Sequence, residues 1–344
     1  MKYIEPEELS KGLNSIPVVD VRSPGEYSHG HISPAINIPL FDDEERAEIG
    51  ILYTNSGREM AITRGQEIVR PKMHALVKHA EQTALKGKLM VHCWRGGMRS
   101  EKMAELFEST GLECLVLRGG YKAYRKQLFS DFENLDNLVV IHGATGSGKT
   151  EILKELEKRG EQVIDLEFLA NHRGSAFGSI GMDPQPTTMQ FQNDIHFRFI
   201  NMDNSRPIWI EGESLNVGKV YLPNTLWDKM NRSLVIRIDM PRNLRVDRIV
   251  KEYGNYPGES LAACVKIIEK RYGGDRTKNV LQLINGNNLA EAVDQLLNYY
   301  DGLYEFSLGK YKEGKIIEVK SGSADAKWNA GLIMNRVKEI SKYA

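Results

Sequence analysis

Cysteine is scarce in this chain: of 344 residues only Cys93, Cys114 and Cys264 carry a thiol, an odd number with no CxxC spacing. A disulfide framework and a thiolate zinc site are thereby excluded as organising features, and a reducing compartment is implied. Net charge is missing as well, since 46 Lys and Arg balance 46 Asp and Glu. No global positive field draws in a polyanion, so a nucleic-acid partner has to be held by local patches. The start, MKYIEPEELS, has no signal-peptide apolar stretch, and no run approaches the roughly 20 apolar residues of a membrane helix. The expectation is a soluble, cytoplasmic protein with no membrane partner. With 41% hydrophobic and 27% charged residues over this length, two domains can each bury a core.

Short β-rich runs alternate with helical patterns along the chain: IPVVDV, KLMVHC, ECLVLRG, NLVVIHG, EQVIDLE, RPIWIEGES and RSLVIRID. That alternation predicts α/β architecture with parallel sheet. The polar stretch SDFENLDN, residues 130–137, follows the helical GGYKAYRKQLF and precedes a fresh strand. It places a boundary at about residue 135, giving domains 1–135 and 136–344. No internal repeat is evident, and the acidic runs EPEEL and DDEER read as solvated faces.

Cys93 opens CWRGGMRS, between the strand-like KLMVH and a helical stretch with Met98, Met103, Leu106 and Phe107 in register and Gly111 as a stop. The amides of Arg95, Gly96, Gly97 and Met98 can curl about the sulfur, and the glycines permit the tight φ values this needs. The helix N-terminus, Arg95 and Arg99 add positive potential. The pattern points to a nucleophilic thiolate able to carry a transferable chalcogen atom. Cys114, inside ECLVL, and Cys264, inside LAACVKIIEK, read as small packing residues.

The stretch Gly143, Ala144, Thr145, Gly146, Ser147, Gly148, Lys149, Thr150 is a full GxxxxGK[ST] match between a strand and an amphipathic helix, the context the motif requires. Its amides point inward at a phosphate, Lys149 places a cation on it, and Thr150 is suited to a magnesium ion. Asp165 and Glu211, with Glu213 beside it, close strand-like runs, where open α/β sheets bind ligands. Either is a candidate for substrate or metal, the alternative being a cap on the next turn.

Residues 172–200, HRGSAFGSIGMDPQPTTMQFQNDIHFRFI, begin without periodicity, and a long irregular segment in a compact domain is usually functional. It contributes Arg173 as a candidate substrate residue and Phe177 and Phe191 as pocket or core, with Phe197 and Phe199 read as core. In MPRNLRVDRIVKEY, Arg242, Arg245 and Arg248 recur every three residues, one helix face that grips a nucleic-acid backbone, pairs with Asp247 and Glu252, or, the preferred reading, is simply solvated. RYGGDRTK offers Arg271 and Arg276 as phosphate contacts, or is simply a solvated loop.

CWRGGMRS resembles the active-site loop of the rhodanese family, and VVDVRSPGEYSHGHISPAINIPL, residues 18–40, is similar to that family's N-terminal signature. The resemblance runs from residue 1 to about 130 and implies an α/β sulfurtransferase-type domain in which Cys93 carries sulfur or selenium. Asp20, Arg22 and Glu26 would shape the scaffold near the loop, and Asp20, Arg22, His29 and His31 read as hydrogen-bonded scaffold. With CWRGGMRS, GATGSGKT, VIDLE, HRGSAFG and IEGES in this order, the whole chain resembles the bacterial tRNA 2-selenouridine synthase family. That resemblance implies a rhodanese-like domain before a P-loop NTPase-like domain, and a reaction in two steps on the wobble 2-thiouridine of tRNA. Geranyl diphosphate first alkylates the sulfur, and selenium from selenophosphate then displaces geranylthiol. The P-loop would bind the diphosphate and Cys93 would serve the selenium step, with no tightly bound cofactor and magnesium only a candidate ion at Thr150. A selenophosphate-producing enzyme becomes a candidate partner beside the tRNA. The rival readings are an ATP-dependent tRNA sulfurtransferase or kinase, and a non-catalytic regulator with a redox-sensing Cys93.

Overall fold

The seven strand-like runs all form strands in the computed structural model, which describes residues 1–9, 15–309, 311 and 315–341. The described chain packs as two units, one of Met1–Asp131 with Gln192–Asn201, the other of Phe132–Phe191 with the residues from Met202 onward.

In the first unit, β1 (Lys2–Ile4), β2 (Val18–Asp20), β3 (Ile36–Asn37), β4 (Lys88–His92) and β5 (Glu113–Leu117) form a parallel sheet in the order β1-β5-β4-β2-β3. Parallel strands are covered on both faces, so they read as near-continuous apolar runs; the last four residues of β4 are all buried. Val19, Val91 and Val116 pack there against Met103, Ala104 and Phe107 of helix Met98–Glu108. Met98, expected on the apolar face of that helix, is instead 36% exposed, because it stands at the first turn, beyond the reach of the sheet. Cys114 is enclosed in this core, where burial pushes its thiol up to about 12, in keeping with a packing role.

In the second unit, β6 (Leu138–Gly143), β7 (Gln162–Ile164), β8 (Ile208–Glu211), β11 (Leu234–Asp239) and β12 (Ile316–Lys320) form another parallel sheet, ordered β12-β11-β6-β8-β7. Between β8 and β11 a short hairpin pairs β9 (Asn216–Val217) with β10 (Val220–Tyr221). The strands β1, β3, β9, β10 and β12 escaped the sequence reading; most are only two or three residues long, and β12 lies at an edge with one buried residue. Ile152, Leu153 and Leu156 of helix Lys149–Lys158 are fully buried against the sheet. Burial on that scale is worth roughly 1.5–3 kcal/mol per side chain, which fixes the helix that carries the phosphate loop. Helices Arg242–Tyr253, Gly258–Tyr272, Gly274–Asn285 and Leu289–Leu308 build a further apolar cluster around Tyr253, Val265 and Val280. Cys264 is buried on the second of these helices and burial raises its thiol. Among the described residues no helix is long and apolar enough to cross a membrane.

Candidate functional site

Each unit gathers its reactive residues at the carboxyl ends of its parallel strands, where such sheets bind ligands. In the first unit Cys93 follows β4 directly, and the loop turns into helix Met98–Glu108 through Gly96, whose φ is +62°. A side chain at Gly96 would meet the Leu117 carbonyl at 2.5 Å, so only glycine permits this approach of the loop to the end of β5. Cys93 is 3% exposed. Its Sγ lies 3.3 Å from the Ser100 hydroxyl and 3.9 Å from the Gly97 carbonyl, which accepts from both.

The surrounding charges are tied into a scaffold. Arg22 donates to Asp20 through Nε and Nη2 and to the Gly30 carbonyl at 2.7 Å, with its guanidinium 4.1 Å from the Tyr121 ring centroid. Burial opposes ionisation of Asp20, but the Arg22 guanidinium, bonded to it and charged, favours the carboxylate, and the carboxyl is held below its ordinary range. Burial also keeps His92, 3.7 Å from Asp20, neutral by lowering its pKa. His31 stacks on Tyr27 with ring centroids 3.8 Å apart. Arg99, expected to add positive potential at the sulfur, is instead paired with Glu26 at 2.8 Å, and Glu26 also accepts the Ser23 amide in a capping box. Arg95 is exposed and closes no ion pair among the described residues.

In the second unit the phosphate loop joins β6 to helix Lys149–Lys158, with Gly146 and Gly148 at φ +82° and +78°. A side chain at Gly143 would come within 2.4 Å of the Ser147 hydroxyl, a buried group with no partner among the described residues. Lys149 Nζ donates to the Gly143 carbonyl at 3.3 Å. Because β8 runs beside β6, Glu211 arrives next to the loop. The Thr150 hydroxyl sits 2.8 Å from Glu211 Oε1 and 2.7 Å from Glu167 Oε2, and Glu211 Oε2 accepts the Glu167 amide. A hydroxyl has one hydrogen to give, so two acceptors on Thr150 require a proton on one of the carboxyls. Burial, then Glu213, pushes Glu167 up to about 7; burial, then Glu167, pushes Glu211 well above its ordinary value. Glu167 was not read from the sequence, where only its position three residues after the strand end marked it.

Asp165 caps the next helix, its Oδ1 accepting the Phe168 amide at the start of helix Leu166–Ala170, and it also lines the cavity beside the phosphate loop. Arg173 lines the cavity beside the phosphate loop but is committed to Glu252, at 3.2 Å, and to the Ile180 carbonyl. Arg271 and Arg276 lie away from it, since RYGGDRTK is the joint between two helices. The arginines of MPRNLRVDRIVKEY are not a solvated face. Arg242 pairs with Asp294, Arg245 with Asp301 and Arg248 with Glu151. Phe191 is fully buried, Phe199 nearly so, Phe197 only half-buried, and Phe177 packs on Tyr253.

The cavity beside the phosphate loop has a volume of about 920 Å³. One part of its wall is Lys149, Thr150, Glu167 and Glu213; another is aliphatic, from Leu261, Ile284, Leu289, Val293, Leu296 and Leu297. His142, at the end of β6, also lines it; burial, with Lys149 and Arg237 nearby, pushes its imidazole down to about 3, so it stays neutral. Among the described residues no three His, Cys, Asp or Glu side chains are grouped to hold a metal ion.

Fold and sites together define a rhodanese-like domain followed by a P-loop domain. Residues 5–127 match the rhodanese-like domain family, and residues 136–331 match the family described as the tRNA 2-selenouridine synthase AAA domain. A tRNA 2-selenouridine synthase of Bdellovibrio bacteriovorus is 36% identical over 78% of this chain and 74% of its own length. One from Sulfurovum is 33% identical over 86% and 90%. The solved N-terminal domain of a Clostridium difficile 630 protein is 36% identical over 37% of this chain and 98% of its own, with a TM-score of 0.35. The chain belongs to the tRNA 2-selenouridine synthase family.

Proposed function

We propose that this enzyme converts wobble 2-thiouridine of tRNA to 2-selenouridine through an S-geranyl intermediate, using geranyl diphosphate and selenophosphate. The observation that carries the reading is the composition of the second unit's cavity, which joins a phosphate loop to an aliphatic wall. A diphosphate bearing a hydrocarbon chain matches both parts, each buried CH₂ adding about 0.8 kcal/mol. In the first step the 2-thiouridine sulfur attacks C1 of the geranyl group, the C1–O bond breaks, the diphosphate leaves with the electron pair, and the N3 proton is lost. Loop amides and Lys149 meet the charge as it develops on the leaving group. Thr150 and Glu211 offer the hard oxygen donors that would hold a magnesium ion, whose charge would offset that of the diphosphate.

Alkylation is what makes the exchange feasible, because a thiocarbonyl sulfur is a poor leaving group and a thioether sulfur departs as a thiol. In the second step selenium of selenophosphate bonds to C2, geranylthiol leaves with a proton, and water cleaves the Se–P bond to release phosphate. The Cys93 loop serves this step. The test is incubation of the protein with 2-thiouridine tRNA and geranyl diphosphate in the absence of ATP, with nucleosides resolved by mass. S-geranyl-2-thiouridine is expected. Alkylation or thiolation only on addition of ATP would overturn the reading.

A further inference from the structure

The chain is neutral overall, yet residues 266–278, KIIEKRYGGDRTK, hold five cations against two acids, a net charge of +3. Helix Gly258–Tyr272 turns Leu261, Cys264, Val265, Ile268 and Tyr272 inward, and helix Gly274–Asn285 turns in Thr277, Val280 and Ile284. Lys266, Lys270, Arg271, Arg276 and Lys278 are left exposed, with Gly273 at φ +100° making the joint between the two helices. Glu269 and Asp275 stand in the same stretch, but none of the five cations closes an ion pair among the described residues. This sets them apart from Arg173, Arg237, Arg242, Arg245 and Arg248 of the same unit, all of which are paired.

We infer that this two-helix joint is the surface on which the second unit holds the phosphate backbone of its RNA substrate. The inference rests on the reading of the enzyme as tRNA-modifying and adds where the RNA is gripped. Uncompensated cations on exposed stems suit a polyanion, whose counterions they release on binding. An acidic protein partner fits less well, because a protein interface needs an apolar core and the stretch exposes one large apolar side chain, Ile267, at 72%. None of the five lines the cavity, so they act on affinity and not on the chemical step.

The test measures binding of 2-thiouridine tRNA across a salt series by the full chain and by the fivefold variant Lys266→Gln, Lys270→Gln, Arg271→Gln, Arg276→Gln, Lys278→Gln. Each phosphate contact contributes about 0.7–0.9 to the slope of log affinity against log salt. The variant should lose about 2 or more from that slope, and at least about tenfold in affinity near ~0.1 M salt, with an unchanged rate at saturating tRNA and an unchanged melting temperature. Arg271→Lys with Arg276→Lys should keep the native affinity, since a point charge suffices at a phosphate. A variant with native affinity and slope overturns the inference while leaving the tRNA reading intact. A native protein that fails to bind the tRNA overturns both.

Discussion

Arg245 holds Asp301 through two parallel hydrogen bonds of 2.8 and 2.9 Å while its Nη1 also donates to the Thr145 carbonyl of the phosphate loop at 3.2 Å. A single buried guanidinium thus ties the loop to helix Leu289–Leu308, which supplies much of the aliphatic wall. Arg245→Ala should destabilise the protein by about 1–3 kcal/mol, the usual cost of leaving part-buried acceptors without their donor, and weaken diphosphate binding with it. Urea unfolding read beside ligand titration checks this. A variant with native stability would mean that the loop holds its shape without the tie.

Lys149→Ala should abolish geranylation yet leave selenation of pre-geranylated tRNA largely active. In the proposed reaction only the first step expels a diphosphate, and losing one preorganised charge contact costs about 3 kcal/mol, roughly a hundredfold in rate. The same variant is assayed on both tRNAs by nucleoside mass. Equal inactivity on the two would assign the phosphate loop to another substrate, ATP first among them.

Cys93→Ser should remove selenium incorporation and spare geranylation, whereas Cys114→Ser and Cys264→Ser should keep both steps. Cys114 is enclosed in an apolar core, Cys264 is buried on its helix, and burial raises both thiols. Loss of both steps in Cys93→Ser would end the division of labour between the units.

Stability should depend on pH through the carboxyls around Thr150. Glu167 goes from 4.5 to about 7 on folding, so the native state binds more protons than the unfolded chain between those values. Stability therefore falls as pH rises from about 4.5 through about 7. Glu167→Gln should flatten that fall, measured as melting temperature between pH 5 and pH 8 without added metal. A native protein whose melting temperature rises across that interval would contradict the shared proton.

Strong local signals made much of this legible in the sequence. The phosphate loop and seven of the strands announce themselves by spacing and by apolar runs, and Cys93 by its place between strand and helix. Glu167 could not be found that way, since its role depends on β7 and β8 lying side by side, a long-range fact. The arginines of helix Arg242–Tyr253 were misread for a related reason: their partners, Asp294, Asp301 and Glu151, lie 52, 56 and 97 residues away, not one helical turn. The aliphatic wall shows as an amphipathic helix in Leu289–Leu308, but helical periodicity marks a buried face without saying whether protein or ligand covers it.

Helix Thr188–Ile200 has a further consequence. From Gln192 onward it belongs to the first unit, where Asn193 donates to the His31 carbonyl and to the Tyr121 hydroxyl, Arg125 donates to Asn193, and His196 meets Asp131 at 2.8 Å. Tyr121 is also the residue whose amide donates to the Cys93 carbonyl. On the ribosome the cysteine domain is therefore unfinished when its own last strand emerges. It must wait for nearly eighty further residues, through the synthesis of the phosphate loop, before the groups behind its reactive loop gain their partners.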